Sequence, residues 1–230
     1  MLDMKNETDV EVLQRLLSAR FSCRGFLPDT VDKGLIEKWL ETAQRSPSWC
    51  NTQPWQLVVT SGEGTHAFIN GLQKAMLNDK HAPDFLFPGT YEGVCLERRR
   101  EVGFQLFDSV GIKKGDREAS AKQTAENYRL FGAPHVALLT VPKSLGVYGA
   151  VDAGIYIGIL LLAAQALGLG CIAQASLAGF PDFVRRHFAL PDDRMVVCGV
   201  SFGYADHGHP INGFRSNRAQ LAQVVQWVGH

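Results

Sequence analysis

Hydrophobic positions recur along the 230-residue chain with two different periods, one helical and one of the strand type. Thr8-Asp9-Val10-Glu11 has the sequence of a capping box and predicts a helix whose apolar positions are Val12, Leu13, Leu16 and Leu17. A second helix is expected to start near Asp29 or Thr30. Its buried positions are predicted to be Leu35, Ile36, Trp39, Leu40 and Ala43.

Four apolar runs bounded by turn residues predict strands, and the remaining apolar segments have helical spacing. The predicted strands are residues 56–60, 135–141, 170–175 and 195–203. Residues 65–130 are expected to be mainly helical, with a break at 82–93 and helices near 95–110 and 116–130. A long helix is expected from about 151 and a short one after Pro181. Helices that alternate with strands predict a mixed α+β or α/β sandwich in one domain, residues 1–230.

Residues 153–169 form an almost uncharged stretch that admits two interpretations. Seventeen apolar residues are the short limit for a membrane span, and Gln165 interrupts them. A helix that is apolar all round also suits the centre of a large core or a dimer. We favour the buried helix, because nothing else in the chain has membrane character.

The bulk composition excludes several classes of protein. Hydrophobic residues make up 46% and charged residues 20%, as in globular proteins, and 23 basic residues balance 23 acidic ones. The overall charge therefore predicts no attraction to nucleic acid or to acidic membranes. Five scattered cysteines without a Cys-x-x-Cys pair suggest neither a zinc ribbon nor a disulfide scaffold. The polar N-terminal stretch has no signal-peptide hydrophobic region, so we expect a cytoplasmic location.

Few motifs in the chain offer chemistry of their own. Gly168-Leu169-Gly170 follows a predicted helix and precedes a strand, the reverse of a dinucleotide fingerprint, so it is interpreted as a helix end. His207 and His209 lie beside Asp206, but no fourth metal ligand occurs at a spacing typical of a metal site. A polar turn is therefore favoured over a metal site. Neither a Walker loop nor a serine-hydrolase elbow is present. This shortage of acid–base sites suggests that a cofactor carries the chemistry.

Two arginine–serine clusters lie at opposite ends of the chain. The first is Arg20-Phe21-Ser22-Cys23-Arg24 and the second is Arg215-Ser216-Asn217-Arg218. Each can be a solvated turn, or the two can converge on one phosphate, which arginine binds bidentately. The segment 46–55, SPSWCNTQPW, is equally open. Its prolines fix the backbone either of an ordinary turn or of a rigid support for an aromatic heterocycle.

Five segments taken in order carry a resemblance that covers nearly the whole chain. RFSCRGF, SPSWCNTQPW, NYRLFGAP, AAQALGLG and GYADHGHPINGFRSNRA together resemble the nitroreductase family of FMN-dependent flavoproteins, and most of all its nitrobenzoate-type and broad nitroaromatic reductases. The resemblance implies a three-layer α-β-α sandwich around a mostly antiparallel sheet. It also implies an intertwined homodimer with FMN between the subunits, the 151–169 helix in the dimer core, and residues 65–130 as a helical roof over the substrate.

The resemblance also assigns expected cofactor contacts by position. Arg20, Ser22 and either Arg215 or Arg218 match the phosphate seat, where Phe21 replaces a basic residue or a histidine. Arg24 matches the position at the flavin N1/O2 edge. The other expected contacts are Pro47, Ser48, Trp49 and Asn51 around the ring and ribityl chain, Asn127 near the flavin, and the backbone of Gln174, Ala175 and Ser176 near N5. Phe131 is a candidate pocket aromatic, or equally a core residue.

The resemblance implies a ping-pong reaction carried by the flavin. NADH or NADPH reduces the flavin, and an electron-poor aromatic acceptor then takes two electrons. No catalytic side chain and no metal are expected. Two alternatives stay open: the acceptor is a quinone, an enone or another activated compound, or the protein is a flavin-binding module without turnover.

Overall fold

The computed structural model describes residues 7–229, so residues 1–6 and 230 of the predicted domain lie outside the described part. The helices are α1 (Asp9–Ala19), α2 (Lys33–Ala43), α3 (Glu63–Asn78), α4 (Gly93–Ser109), α5 (Arg117–Ala125), α6 (Gly146–Ala166) and α7 (Pro181–Phe188). The strands are β1 (Gln56–Val59), β2 (His135–Pro142), β3 (Gly170–Gln174) and β4 (Arg194–Gly203). Short 3₁₀ turns connect several of these elements, among them Glu126–Gly132 and Ala175–Ala178.

The four strands form one antiparallel sheet in the order β1-β2-β4-β3. Strand β2 is buried on both faces, and its side chains alternate between two apolar clusters. Ala137, Leu139 and Val141 pack on one side, whereas Val136 and Leu138 pack on the other. The sheet is therefore the middle of three layers, which confirms the predicted three-layer α+β sandwich with an antiparallel sheet.

Helices α2 and α6 cover one face of the sheet. The indole Nε1 of Trp39 donates to the carbonyl of Leu160 at 2.8 Å and so joins the two helices. Tyr156 of α6 stacks on Trp55, and burial raises the pKa of its phenol to about 12. Helices α3 and α7 cover the other face, where Phe68 stacks on Phe183.

Two helix starts differ from the prediction. Helix α2 begins at Lys33 rather than near Asp29 or Thr30, because the Asp32 carboxylate accepts from the backbone N–H groups of Gly34 and Leu35. Helix α6 begins at Gly146, five residues before the predicted start at 151. The capping box at Thr8 is confirmed.

The helical region 65–130 is attached to the sandwich at its break. Asp84 accepts from the guanidinium of Arg185 at 2.8 Å and from the backbone N–H of Val196 at 2.7 Å. Helices α4 and α5 follow this anchor near their predicted positions, and α5 continues into the 3₁₀ turn Glu126–Gly132. That this region roofs a substrate pocket stays a prediction.

Helix α6 is buried along one face and exposed along the other. Within residues 7–229, only the stretch Lys143–Ala166 is long and apolar enough to cross a membrane, and 39% of its most apolar window is buried. Tyr156 and Leu160 face the sheet, whereas the exposed face has an apolar row. We call this row the α6 stripe: Val147, Tyr148, Val151, Ile155 and Ile159.

Candidate functional site

The two arginine clusters meet in one cavity of about 460 Å³. The residues that line it come from the end of α1, the segment 20–24, helix α4 and the C-terminal arm. They include four arginines and no acidic residue: Leu17, Ser18, Arg20, Phe21, Ser22, Arg24, Val102, Phe214, Arg215, Ser216 and Arg218. We call this space the arginine cavity. The chain thus brings together positions almost 200 residues apart, as the phosphate interpretation requires.

The segment 20–24 is placed by an extra strand-like contact with β3. Ser22 forms a parallel bridge with Cys171, and the N–H of Cys23 donates to the Cys171 carbonyl at 3.1 Å. Successive side chains of an extended segment point to opposite sides. Cys23 is fully buried, and burial raises the pKa of its thiol to about 11, so Ser22 and Arg24 are left to face the arginine cavity.

The C-terminal arm is held by a residue that the sequence reasoning missed. The Asn212 side chain is buried, and its Nδ2 donates to the carbonyls of Gly25 and Asp206, both at 2.8 Å. Its Oδ1 accepts from the backbone N–H of Arg24 at 2.8 Å. Its own carbonyl accepts from the Arg215 guanidinium at 2.8 Å. Asn212 therefore fixes the two arginine clusters relative to one another.

The four arginines have no counter-charge among residues 7–229. No ion pair joins any of them to a carboxylate there. The hydrogen bonds that Arg24, Arg215 and Arg218 make go to neutral oxygens. Burial lowers the pKa of Arg24 from its ordinary value. A concave site with uncompensated positive charge matches a dianionic phosphate ester.

Phe21 contacts one of the four arginines through the face of its ring. Its ring lies 4.1 Å from the guanidinium carbon of Arg215, which is a cation–π contact. His207 packs near the same ring, with centroids 6.2 Å apart. His209 packs closely against Gly25, where an added Cβ would lie 2.8 Å from the imidazole Cγ. No group of three metal-ligating side chains occurs among the described residues, and the two histidines instead pack against Phe21 and Gly25.

The end of β3 forms a second polar group. Gln174 is buried and its Nε2 donates to the carbonyl of Asn127 at 3.0 Å, while Ser176 Oγ donates to Asn127 Oδ1 at 3.2 Å. Ala175 and Ser176 begin a 3₁₀ turn, whose first N–H groups have no acceptor within the turn. The predicted N5 segment thus offers backbone donors, and the Gln174 side chain takes part in a partly buried network.

The segment 47–51, which is predicted to support the flavin ring, lies outside the wall of the arginine cavity. The N–H of Trp49 donates to Asp152 Oδ1 at 3.0 Å, and its indole packs edge-on against Tyr148 at 4.3 Å. The segment is strained, since Cys50 and Asn51 both have φ near +50°. None of the residues at 47–51 lines the arginine cavity: Pro47, Ser48, Trp49 and Asn51 are all absent from its wall.

The length of α6 explains this separation. The carbonyl of Leu161 lies 4.0 Å from the Sγ of Cys171, whose backbone pairs with Ser22 and Cys23. Asp152, which holds Trp49, lies nine residues earlier on the same helix, or about 14 Å along its axis at 1.5 Å per residue. Within one chain, the 47–51 segment and the strand β3 that carries the segment 20–24 therefore contact different parts of α6.

Phe131 lies in a different and larger cavity, of about 1010 Å³. Its buried ring is 5.9 Å from the guanidinium of Arg24, which lines both cavities. Phe131 has φ of +54°, and its neighbours Leu130 and Gly132 also have positive φ. Polar side chains of α3 and α5, among them His66 and Lys122, line the opposite walls.

These features define a class: an antiparallel α+β sandwich with a positively charged cavity between a sheet edge and its own C-terminal arm. The chain belongs to the nitroreductase family, which it matches over residues 17–204. It is 34% identical to nitroreductase NfnB of Mycolicibacterium smegmatis over 94% of this chain and 93% of that protein. It is 30% identical to a 4-nitrobenzoate reductase of Pseudomonas putida over 93% and 94% of the two chains.

The fold agrees with a solved structure of the family. The FMN-dependent nitroreductase NfnB from Mycobacterium smegmatis, in complex with NADPH, superposes with a TM-score of 0.90. The two chains are 34% identical, and the match covers 95% of this chain and 99% of that one. Family membership therefore rests on sequence and on fold together.

Proposed function

We propose that this protein is an FMN-dependent oxidoreductase that uses NADH or NADPH to reduce nitroaromatic or similar electron-poor acceptors. The observation that carries the proposal is the arginine cavity, in which four guanidinium groups, none in an ion pair within residues 7–229, converge from both ends of the chain. Similarity to FMN-dependent and nitrobenzoate-reducing relatives supports the same cofactor and acceptor class.

The residues of the cavity fit a flavin mononucleotide. Arg20, Arg215 and Arg218 with the Ser22 hydroxyl would hold the phosphate, since together they offer charge and bidentate donors. Arg24 would face the ring edge that gains negative charge, and the N–H groups of the turn that begins at Ala175 would donate to the ring. Bound FMN supplies the two-electron transfer, and the chain binds and orients it and supplies the electrostatic environment.

We further propose a homodimer in which the second copy completes the site. The segment 47–51 is attached to α6 at Asp152 and contributes no residue to the wall of the arginine cavity, so we infer that its predicted contacts with the ring come from the other subunit. The α6 stripe runs beside this segment, with Val151 52% and Ile155 39% exposed. A row of exposed apolar side chains along one helix face is typical of a subunit interface.

The test of the proposed function is the absorbance spectrum of the purified protein, followed by anaerobic addition of NADH and then NADPH. We expect a yellow protein with a flavin band that bleaches on addition of one or both donors. A colourless protein that takes up no added FMN would contradict the proposal, because the arginine cavity would then hold no flavin.

A second experiment identifies the acceptor class. The walls of the larger cavity combine apolar residues such as Ile69 and Phe131 with cationic ones such as Lys122, and these contacts suit a quinone or an enone as well as a nitroaromatic compound. Steady-state rates for one acceptor of each class decide among them. Rapid reoxidation of the bleached protein by a nitroaromatic compound would also exclude a flavin-binding module without turnover.

A further inference from the structure

A chain of hydrogen bonds, buried at Ser201 and Gln174 and partly buried at Asn127, connects strand β4 to the turn that holds Asn127. Ser201 on β4 is completely buried, and its hydroxyl donates to Gln174 Oε1 at 2.5 Å. Gln174 Nε2 in turn donates to the backbone carbonyl of Asn127 at 3.0 Å and to its Oδ1 at 3.3 Å. Ser176 Oγ donates to the same Oδ1. Ser201 was not among the residues that the sequence indicated.

Two backbone carbonyls fix the donor–acceptor order along this chain. A carbonyl oxygen can only accept, so the amide atom of Gln174 that faces the carbonyl of Asn127 must be the nitrogen. Gln174 Oε1 then faces Ser201, whose hydroxyl must donate. At the other end, Asn127 Nδ2 donates to the carbonyl of Thr124 at 3.0 Å. The side-chain amides of Gln174 and Asn127 therefore each have a single orientation, because the backbone carbonyls of Asn127 and Thr124 can only accept.

This orientation leaves one N–H of the Asn127 side-chain amide without a partner among residues 7–229. Asn127 Oδ1 is occupied by Gln174 and Ser176, whereas Nδ2 uses one of its two hydrogens for its bond within residues 7–229. Asn127 is only partly buried, so the second hydrogen can reach a ligand. The backbone of this turn is strained at Leu130 and Phe131, which both have φ above +50°. Burial of Leu130 in the core keeps the turn in this conformation.

We propose that Ser201 and Gln174 are positioning residues that orient Asn127 so that its amide donates a hydrogen bond to the carbonyl edge of the bound flavin ring. This inference rests on the proposed function. Negative charge increases at that edge when the ring takes up two electrons, so a fixed donor there binds the reduced ring more tightly than the oxidised ring. The network thereby raises the reduction potential of the cofactor.

The test compares three variants with the parent protein: Ser201→Ala, Asn127→Ala and the double variant. Each is loaded with FMN, and the midpoint potential is measured by anaerobic titration against a reference dye. We expect Asn127→Ala to lose about tenfold of the preference for reduced over oxidised flavin, a fall of about 30 mV for a two-electron couple. Ser201→Ala should give a smaller fall in the same direction, because the donor is then loosened rather than removed.

The double variant tests whether Ser201 acts through Asn127. If it does, Ser201→Ala changes the potential no further once Asn127 is alanine. Thr65→Val is the matched control: the Thr65 hydroxyl is also buried and hydrogen-bonded, to Thr60 and to the Pro134 carbonyl, but it lies outside the network. It should lower thermal stability and leave the potential of the parent unchanged.

The outcomes separate this inference from the proposed function. A parent protein that takes up no FMN overturns the proposed function. A parent that binds FMN, with Asn127→Ala at the parental potential, overturns the inference alone. Equal shifts in the Thr65→Val control, or additive shifts in the double variant, would also overturn it, because the network would then act only through general stability. If Ser201→Ala fails to fold, Gln174→Leu takes its place in the same comparison, because Gln174 is the other positioning residue and contacts Asn127 directly.

Discussion

The guanidinium carbon of Arg215 lies 4.1 Å from the centre of the Phe21 ring, although the two residues are 194 positions apart in the sequence. The same guanidinium donates to the carbonyls of Asn212 and Phe214. An aromatic ring at the end of α1 and two carbonyls of the C-terminal arm thus fix one side of the arginine cavity before any ligand binds. Preorganisation of this kind reduces the entropy that binding must overcome.

Replacing Phe21 by alanine should weaken FMN binding without removing any charge. A cation–π contact contributes about 1 kcal/mol, so we expect the dissociation constant of FMN to rise about fivefold. Quenching of FMN fluorescence during titration of the apoprotein measures it. Phe21→Tyr keeps the ring face and should bind like the parent. An alanine variant that binds FMN as tightly as the tyrosine variant would show that the ring does not position Arg215.

Removing Arg20 or Arg215 should weaken the binding of FMN but leave the binding of riboflavin almost unchanged. A hydrogen bond to a charged group contributes about 1.5–3 kcal/mol, so Arg20→Ala and Arg215→Ala should each weaken FMN binding at least tenfold. Riboflavin has no phosphate, so its dissociation constant should stay within about twofold of that of the parent. Arg218→Ala, measured in the same way, shows whether both C-terminal arginines contact the phosphate. Equal losses for the two flavins would contradict the assignment of the cavity to the phosphate.

The sequence predicted the parts of the site that are local in the chain. Ser22 and Arg24 could be proposed because one short extended segment carries the whole motif. Asn212 and Ser201 could not, because Arg24 and Gln174, which they bind, are 188 and 27 residues away and a buried amide or hydroxyl has no spacing of its own. Asp152 did leave a signal, since it is the only charged residue of α6. A charge in an otherwise apolar helix is expected to have a partner, which here is the 49–52 turn.

The fold, like the site, was predicted best where the signal is local in the sequence. Strand bounds were predicted within one or two residues, because buried runs such as 135–141 are continuous in the sequence. The start of α6 was missed because no side chain caps it. Leu145 at its N-cap makes no capping bond, and the preceding residues form a 3₁₀ turn that leads into the helix. The capping box at Thr8 was predicted correctly because its side chains do form the capping bonds.

A charge placed on the α6 stripe should separate the proposed dimer and empty the flavin site together. Ile155 is 39% exposed in one chain, so Ile155→Glu should leave the fold of the subunit intact. Light scattering after size exclusion should then show a mass near 25.3 kDa instead of twice that value, and FMN should be lost. Leu77→Glu is the control, since Leu77 is 85% exposed on α3 and away from the stripe. A variant that remains dimeric and yellow would contradict the proposed interface.

His135 should make the fold sensitive to mild acid. Its ring is fully buried against Phe202, Nε2 accepts from the N–H of Val31 at 2.9 Å, and Nδ1 lies 3.1 Å from the Thr60 carbonyl and donates to it. Only the neutral imidazole makes both bonds, since protonation would set two N–H donors against one another at Val31. Burial accordingly lowers the pKa of His135 below its ordinary value.

The sign of the pH dependence follows from this lowered pKa. Because the unfolded chain takes up a proton at a higher pH than the folded chain, the stabilisation is complete above the ordinary histidine pKa of about 6.5 and is lost as the pH falls below it. The urea midpoint should therefore decrease from pH 7.5 to pH 5. His135→Gln keeps one donor and one acceptor and cannot titrate, so its midpoint should change less over that range. His66→Gln, at an exposed position, should retain the parental pH dependence. Identical pH profiles for the parent and His135→Gln would show that another group, such as the partly buried His187, causes the effect.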